Sequence, residues 1–410
     1  MNVAVPLPRT SIATDTGTID RQSRIAIVEV CRDLADAVPI WLRMKAEGAL
    51  ATPYQHYDFI QLWQRHVGDR NAVKPSIMVG YDAGRTPLVL LPFGTNTAGP
   101  LRVLQFLGGK HANINFGVWN RNFAASITAP EVQNLVERIA QNAPGVDLVA
   151  LHRQPHTWEH VANPFIHLPH QPSPSGCCCG DLRPATDNTG RAAETAHLSR
   201  SMRKQLRSKE RKLAELPGFR YFRATTPAEV DRLLTWFFAI KAVHLKAHGL
   251  ANTFADPGIE DFVRDLCHSG LDDGQPVAEL HAIEGDGELL AVYAGTGNGK
   301  RFSLMINTYT LSEHARLSPG LVLLMHMFAA LTERGFHSVD LGAGDARYKR
   351  GFCRQDEPLF ESFLPLTPLG RLAAVGARSG TSLKRRIKSS PVLWPAYQTI
   401  RRHVSPLLPV

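Results

Sequence analysis

Three short apolar segments in the second half of the chain, separated by glycine turns, constrain its fold more than any other feature. "VAELHAIEGD", "ELLAVYAGTGN" and "RFSLMINTYT" follow one another, separated by Gly-Asp and Gly-Lys pairs. Runs of this length bounded by turn residues predict consecutive antiparallel strands. A helix is expected next, from Pro319 to Arg334, with Leu321, Leu324, Phe328 and Leu331 on one face and Gly335 as its stop. The Val339–Leu341 strand follows. Upstream, "FRYFRAT" predicts a strand, "PAEVDRLLTWFFAIKAVHLKAHG" a long helix and "FADPGIEDFVRDLCHSG" a second one. The first half carries a rough copy of this order, with helices at 31–47, in "TPYQHYDFIQLWQRHVG" and in "APEVQNLVERIAQNA", and strands in "PSIMVGYD", "TPLVLLPFGT", "LRVLQFLGG" and "VDLVALHRQ". The expected class is α+β with mixed sheets.

At 410 residues the chain is too long for one ordinary core, so two domains are expected. The boundaries read as a leader over 1–23, a first domain over 24–165, a Pro-, Ser- and Gly-rich crossover over 166–196, a second domain over 197–368 and a basic tail over 369–410. No apolar run approaches the length of a membrane span, and the start lacks the apolar stretch of a signal peptide. Six unevenly spaced cysteines do not form a disulfide framework, and the Cys177–Cys179 run reads as a short buried strand rather than a metal site. These features point to the cytoplasm. The net charge of +9 is concentrated in two places. Ser199–Lys212 holds seven basic residues against Glu210, and from Gly370 onward there are eight and no acid. Such segments suit phosphate-bearing ligands, RNA or an anionic membrane face, and equally a solvated helix surface.

The stretch "HSVDLGAGDARYKRGF" looks at first like the glycine turn of a nucleotide or S-adenosylmethionine site. That reading fails on position, because such a turn follows the first strand of a doubly wound sheet and too little chain remains here. A better phosphate cradle lies upstream at "ARLSPGLVLL". Ser318 is expected as N-cap, Pro319 suits the first helical position, Gly320 leaves the backbone approachable, and Leu321 completes the cofactor-binding first turn. Free N–H groups and the positive helix end would hold a pyrophosphate, with Arg316 beside it.

The pieces "TPYQHYDFIQLW", "LGGKHANINFG", "RKQLRSKERKLAE", "FFAIKAVHLKAHG", "LSPGLVLL" and "VDLGAGDARYKRGF" together resemble the bacterial GNAT acetyltransferases of the BioF2-like, CelD/BcsL type. That type is associated with cellulose and other exopolysaccharide synthesis and is related to the Fem-type aminoacyltransferases. The resemblance spans about residues 50–365 and implies two tandem GNAT-like domains. It departs from the usual pyrophosphate loop, since Arg316 precedes Leu-Ser-Pro-Gly instead of a Gly-x-Gly pattern.

The resemblance implies acyl transfer from acetyl-CoA or another acyl-CoA, without a metal, to an amine or hydroxyl of a sugar, glycolipid or envelope precursor. Tyr348 would protonate the departing thiolate, Lys349 would stabilise an oxyanion, and Asp345 would orient Lys349 or bind the acceptor. Glu279 and His281, on one face of a strand, are the candidates for general base and acceptor contact. Lys110 and His111 are acceptor-site candidates in the first domain, and His244 and Lys241 further polar ones on the long helix. Two alternatives stand beside this: a Fem-like transferase using aminoacyl-tRNA, and a non-catalytic accessory of polysaccharide synthesis. Residues 371–402 could lie on an anionic membrane, peripheral to the inner face.

Overall fold

The computed structural model describes residues 23–182, 200–344, 348–353, 355–390 and 393. The leader, the end of the crossover, Asp345 and most of the chain beyond residue 390 lie outside them. The first half contains β1 (Ile27–Cys31), α1 (Leu34–Ala46), α2 (Tyr57–Trp63), β2 (Lys74–Tyr81), β3 (Pro87–Ala98), β4 (Leu101–Phe106), β5 (Val118–Trp119), α3 (Arg121–Ser126), α4 (Ala129–Asn142) and β6 (Leu148–Pro155). Short strands β7 (Thr157–Trp158), β8 (Val161–Ala162), β9 (Gln171–Pro172) and β10 (Cys177–Asp181) follow. The second half runs α5 (Arg200–Ala214), β11 (Arg220–Arg223), α6 (Pro227–Ala247), α7 (Ile259–His268), β12 (Glu279–Gly285), β13 (Glu288–Gly297), β14 (Arg301–Tyr309), α8 (Pro319–Glu333), β15 (Ser338–Ala343), α9 (Lys349–Phe352), β16 (Gln355–Glu357), β17 (Leu359–Pro365) and α10 (Pro368–Ser389).

Two sheets share one plan. The first has the order β1-β2-β3-β4-β6-β17-β9, with β5 paired to β3; the second has β11-β12-β13-β14-β15-β10-β16. In each, four antiparallel strands lead to a parallel pair, β4 with β6 and β14 with β15. A parallel pair needs a crossover, and α4 and α8 lie in these two crossovers. The expected mixed α/β class and the duplicated order are both present.

The expected chain boundaries do not coincide with the sheets. The crossover assigned to 166–196 supplies β9 to the first sheet and β10 to the second. β17, within the span assigned to the second domain, pairs with β6 of the first sheet. Each sheet is therefore finished by a strand from outside its own half. The cysteine run forms β10, between β15 and β16. The tail also departs from expectation: α10 packs on the first sheet, with Ala374 buried against Leu148, Ala150 and Phe363. Gly370 permits this, since a Cβ there would collide with the Asp147 carbonyl oxygen.

Helix α8 is apolar on more than the single stripe read from its sequence. Val322, Leu323, Leu324, Met327, Phe328 and Leu331 are all buried, because Leu206 and Leu213 of α5 cover the side away from the sheet. Burying each large side chain contributes about 1.5–3 kcal/mol, so α8 is a fixed point for whatever lies at its ends. On the opposite face α6 and α7 bury Leu233, Leu234, Phe237, Phe262 and Leu266. Phe262 also meets Phe59 of α2 edge-on at 5.5 Å, joining the two halves through one apolar core.

Candidate active site

The second sheet opens where β14 and β15 part. They pair at only three positions, Arg301 with Ser338, Phe302 with Val339 and Ser303 with Asp340, although β14 continues to Tyr309. Asp340 fixes the parting point. It is fully buried, accepts the Gly342 N–H at 3.1 Å and takes the Ser303 hydroxyl on its other oxygen. Burial raises the pKa of its carboxyl, and Arg301 and Ser303 oppose that rise. Gly342 and Gly344 then turn the chain away at φ +77° and +100°, a region that disfavours side chains. Into the fork reaches Asn113 of the first half, whose Nδ2 donates to the Leu304 carbonyl at 3.2 Å and the Tyr54 hydroxyl at 2.9 Å. A Cβ on Gly342 would sit 3.1 Å from that Nδ2.

Across the open part of the fork stands Tyr348. Its hydroxyl oxygen accepts from Asn307 Nδ2 at 2.9 Å, so the phenolic hydrogen is left to point elsewhere. Burial pushes its pKa up to about 12, with Asn307 opposing, and the phenol is therefore protonated at neutral pH. Asn307 is held in turn by Lys241 of α6, whose Nζ donates to its carbonyl at 2.8 Å and its Oδ1 at 3.3 Å. Desolvation lowers the Lys241 pKa. Lys349 is buried, and its ammonium donates to the carbonyls of Gly342 (3.0 Å), Ala343 (3.4 Å) and Gly344 (3.1 Å). Its charge is spent on holding the turn after β15, beside Tyr348. Asp345 lies outside the described residues.

The start of α8 borders the same opening. Pro319 occupies the first helical position as expected, but Ser318 does not cap with its hydroxyl. It sits in the left-handed region at φ 53°, and its Oγ takes a hydrogen bond from Lys209 Nζ of α5 at 2.6 Å. The helix thus begins without a side-chain cap and with an ammonium beside it. Gly320 is buried against Tyr293, whose hydroxyl would be 2.8 Å from an added Cβ. Leu321 is half-buried. Arg316 is exposed and lies 3.4 Å from Glu313.

The remaining expected residues lie elsewhere. Glu279 and His281 do share a face, but they meet the C-terminal end of α8. Arg334 grips Glu279 with two bonds of 2.6 Å, and Arg223 stands 3.6 Å away. Burial pushes the Glu279 carboxyl up, but Arg334 and His281 outweigh that and hold it well below the usual range. That suits a structural anion rather than a base. His281 is 1% exposed and bonded to the Tyr221 hydroxyl at 2.9 Å, packed inside the sheet rather than at the opening. Lys110 and His111 form a turn after β4. Lys110 pairs with Asp256 at 2.8 Å, and His111 accepts from Trp63 Nε1 at 3.0 Å. Burial and Lys110 lower the His111 pKa to about 4, keeping it neutral. Sequence reading missed Asn307, Tyr293, Lys209 and Asn113. Asn113 lay inside a stretch singled out for its resemblance, and Asn307 is one of several polar residues in β14.

Comparison with known proteins agrees with this geometry. Residues 200–350 match the family model of the acetyltransferase (GNAT) domain, which covers α5 through the start of α9. The chain is similar to the solved structure of FemX at 10% identity and a TM-score of 0.52, over 79% of this chain and 98% of that one, which shows a shared fold. It also aligns with L-PGS from Bacillus licheniformis (11% identity, TM-score 0.47, 84% and 96% covered) and with a tandem GNAT protein from the clavulanic acid biosynthesis pathway (13%, 0.43, 83% and 99%). No curated protein sequence matches the chain. Residues 200–350 thus resemble a GNAT acetyltransferase domain, and the first sheet repeats the strand plan of the second.

Proposed function

We propose that the chain is an acyltransferase that moves an acyl group, acetyl in the first instance, from acyl-CoA to an amine or hydroxyl of a sugar, glycolipid or exopolysaccharide precursor, in the manner of the BioF2-like, CelD/BcsL type. One observation carries the reading: the parallel pair β14–β15 parts after three residue pairs, and a protonated tyrosine stands in the opening. A thioester lying along the parted edge of β14 would meet the Tyr348 hydroxyl. The diphosphate of the same molecule would lie at the uncapped start of α8, where the backbone dipole and Lys209 favour negative charge.

In that arrangement the acceptor nitrogen or oxygen attacks the thioester carbonyl, the carbon–sulfur bond breaks, and the thiolate takes the phenolic proton of Tyr348. The proton lost by the acceptor returns to the tyrosinate through solvent. Asn307 and Lys241 fix the phenol, and Lys349 fixes the turn that carries it. Helix α10 supports an acceptor borne by a membrane lipid. It exposes Leu369, Leu372, Val375 and Leu383 among Arg371, Arg378 and Arg385, a surface suited to lying on an anionic bilayer. Among the described residues no helix is long and apolar enough to cross one.

A second reading rests on the basic groove of α5, lined by Arg203, Lys204, Arg207 and Arg211, which could grip the phosphates of an aminoacyl-tRNA. A thermal-shift panel of acetyl-CoA, CoA, S-adenosylmethionine and aminoacyl-tRNA separates the two. Stabilisation by CoA species alone, with thiol release from acetyl-CoA in the presence of acceptor extracts, supports the proposal. Stabilisation by aminoacyl-tRNA alone contradicts it, and CoA binding without thiol release from any acyl donor points to the non-catalytic role.

A further inference from the structure

The first sheet has its own fork, and it holds something different. β4 and β6 pair in parallel only over Val103–Gln105 and Leu148–Ala150. Beyond that point lies a cavity of about 540 Å³, within the usual size of a small-molecule site. Its walls come from β4, β6, the Gly109–Lys110 turn, the Ser173–Ser175 segment, α10, and the Ala343–Gly344 end of β15. The cavity therefore reaches the turn that Lys349 holds beside Tyr348.

Its chemistry is cationic by construction. Opposite Glu361 of β17, strand β6 carries one residue too many, so that Leu151 faces Ser362 and Gln154 faces Phe360. A bulge of this kind re-aims side chains, and it turns His152 and Arg153 toward the cavity. Arg153 adopts φ +53°, a strained conformation for a residue with a side chain, and donates Nη1 to the Lys110 and Ala112 carbonyls at 3.0 Å each. From α10 come Lys384 and Lys388, four residues apart, a spacing at which like charges repel. Lys388 reaches the Ser175 hydroxyl at 2.5 Å. The one carboxylate in the wall, Glu361, is engaged by Thr381 at 3.0 Å, Ser173 at 3.2 Å and His152 at 3.5 Å, and Lys110 is matched by Asp256. Among the described residues Arg153, Lys384 and Lys388 make no ion pair, and Glu361 is the one carboxylate in the wall that Arg153 feels. Desolvation, Arg153 and Lys384 all lower the Lys388 pKa, as expected of crowded positive charge.

We infer that this cavity binds the phosphate of the acceptor: the substrate is a phosphate ester or diphosphate, held between Arg153 and the Lys384–Lys388 pair, with its nucleophile directed past Gly344 toward the fork of the second sheet. The inference deepens the acyl-transfer reading in naming the acceptor class, but the anion site itself does not depend on that reading. A soluble nucleotide sugar and a lipid headgroup share the chemistry, and both are consistent with a cavity walled by α10.

Calorimetric titration of the full chain with inorganic pyrophosphate, with and without saturating CoA, tests it. The expected result is saturable binding that persists with CoA bound and weakens at least ten-fold in Lys384→Gln/Lys388→Gln, whose thermal stabilisation by CoA is unchanged. Parallel titrations with UDP-N-acetylglucosamine and with phosphatidylglycerol vesicles, against glucose and phosphatidylcholine as neutral controls, identify the source: preference for either anionic probe over its control supports the site. Absence of pyrophosphate binding, or binding indifferent to the lysine pair, overturns it. If pyrophosphate binds through these lysines while CoA does not bind, the anion site stands and the acyl-transfer reading falls.

Discussion

Helices α4 and α8 do the same topological job, each lying in the crossover from a sheet's fourth strand to the parallel strand beside it, yet they begin in opposite ways. At α4, Glu131 reaches back to the Thr128 N–H at 2.9 Å and also binds Arg24 at 2.7 Å. Those contacts depress its carboxyl pKa to about 2 and place a fixed anion where the helix dipole asks for one. At α8 no side chain caps the first turn, and the ammonium of Lys209 stands beside it on the Ser318 hydroxyl. One start supplies its own anion and the other is left to receive one. The forks differ in the same sense: a tyrosine and an asparagine face the second, and a ring of cations faces the first. Duplication of a fold therefore does not duplicate its chemistry, and the proposed thioester site lies in the second half alone.

This contrast can be broken at several points. The largest effect is expected from Tyr348→Phe, which removes the proton donor and should lower kcat by roughly 10²–10⁴-fold with CoA affinity nearly unchanged, measured by thiol release. Gly320→Val comes next. The new side chain collides with the Tyr293 hydroxyl, costing about 1–3 kcal/mol of stability and at least ten-fold in CoA affinity. Partial recovery of Tm in Gly320→Ala/Tyr293→Phe relative to Gly320→Ala would place the strain at that contact. Lys209→Met should weaken CoA binding by about 1 kcal/mol, roughly five-fold, with the difference shrinking at high salt. Glu131→Gln should leave CoA affinity alone and cost about 1 kcal/mol of stability. Because the folded-state pKa of Glu131 is depressed, that contribution is full above about pH 4.5 and is lost as the pH falls through about 2. The Tm gap between variant and parent should be constant at neutral pH and close in acid.

Much of the frame was legible in the sequence. Period and turn chemistry gave the three hairpin strands, α8 and the duplicated order, because these are local properties. The position of Pro319 followed from the same logic, and Tyr348 from the stretch after β15. What escaped depends on partners distant in sequence. Ser318 reads as an N-cap, but its conformation goes with Lys209, 109 residues away. Strands β10 and β17 look like members of their own segments, and their exchange between sheets is decided by which edges remain open. The bulge that aims Arg153 exists only as a register with β17. Lys349 is expected at an oxyanion, and only the course of residues 342–344 turns it inward.

The most direct test of the contrast between the two halves is a crystal structure of the chain with CoA. The account predicts the diphosphate against the first turn of α8, beside Lys209 and Gly320, with the thiol arm entering the fork toward Tyr348. A diphosphate seated at α4, or on any surface away from Pro319–Leu321, would contradict it.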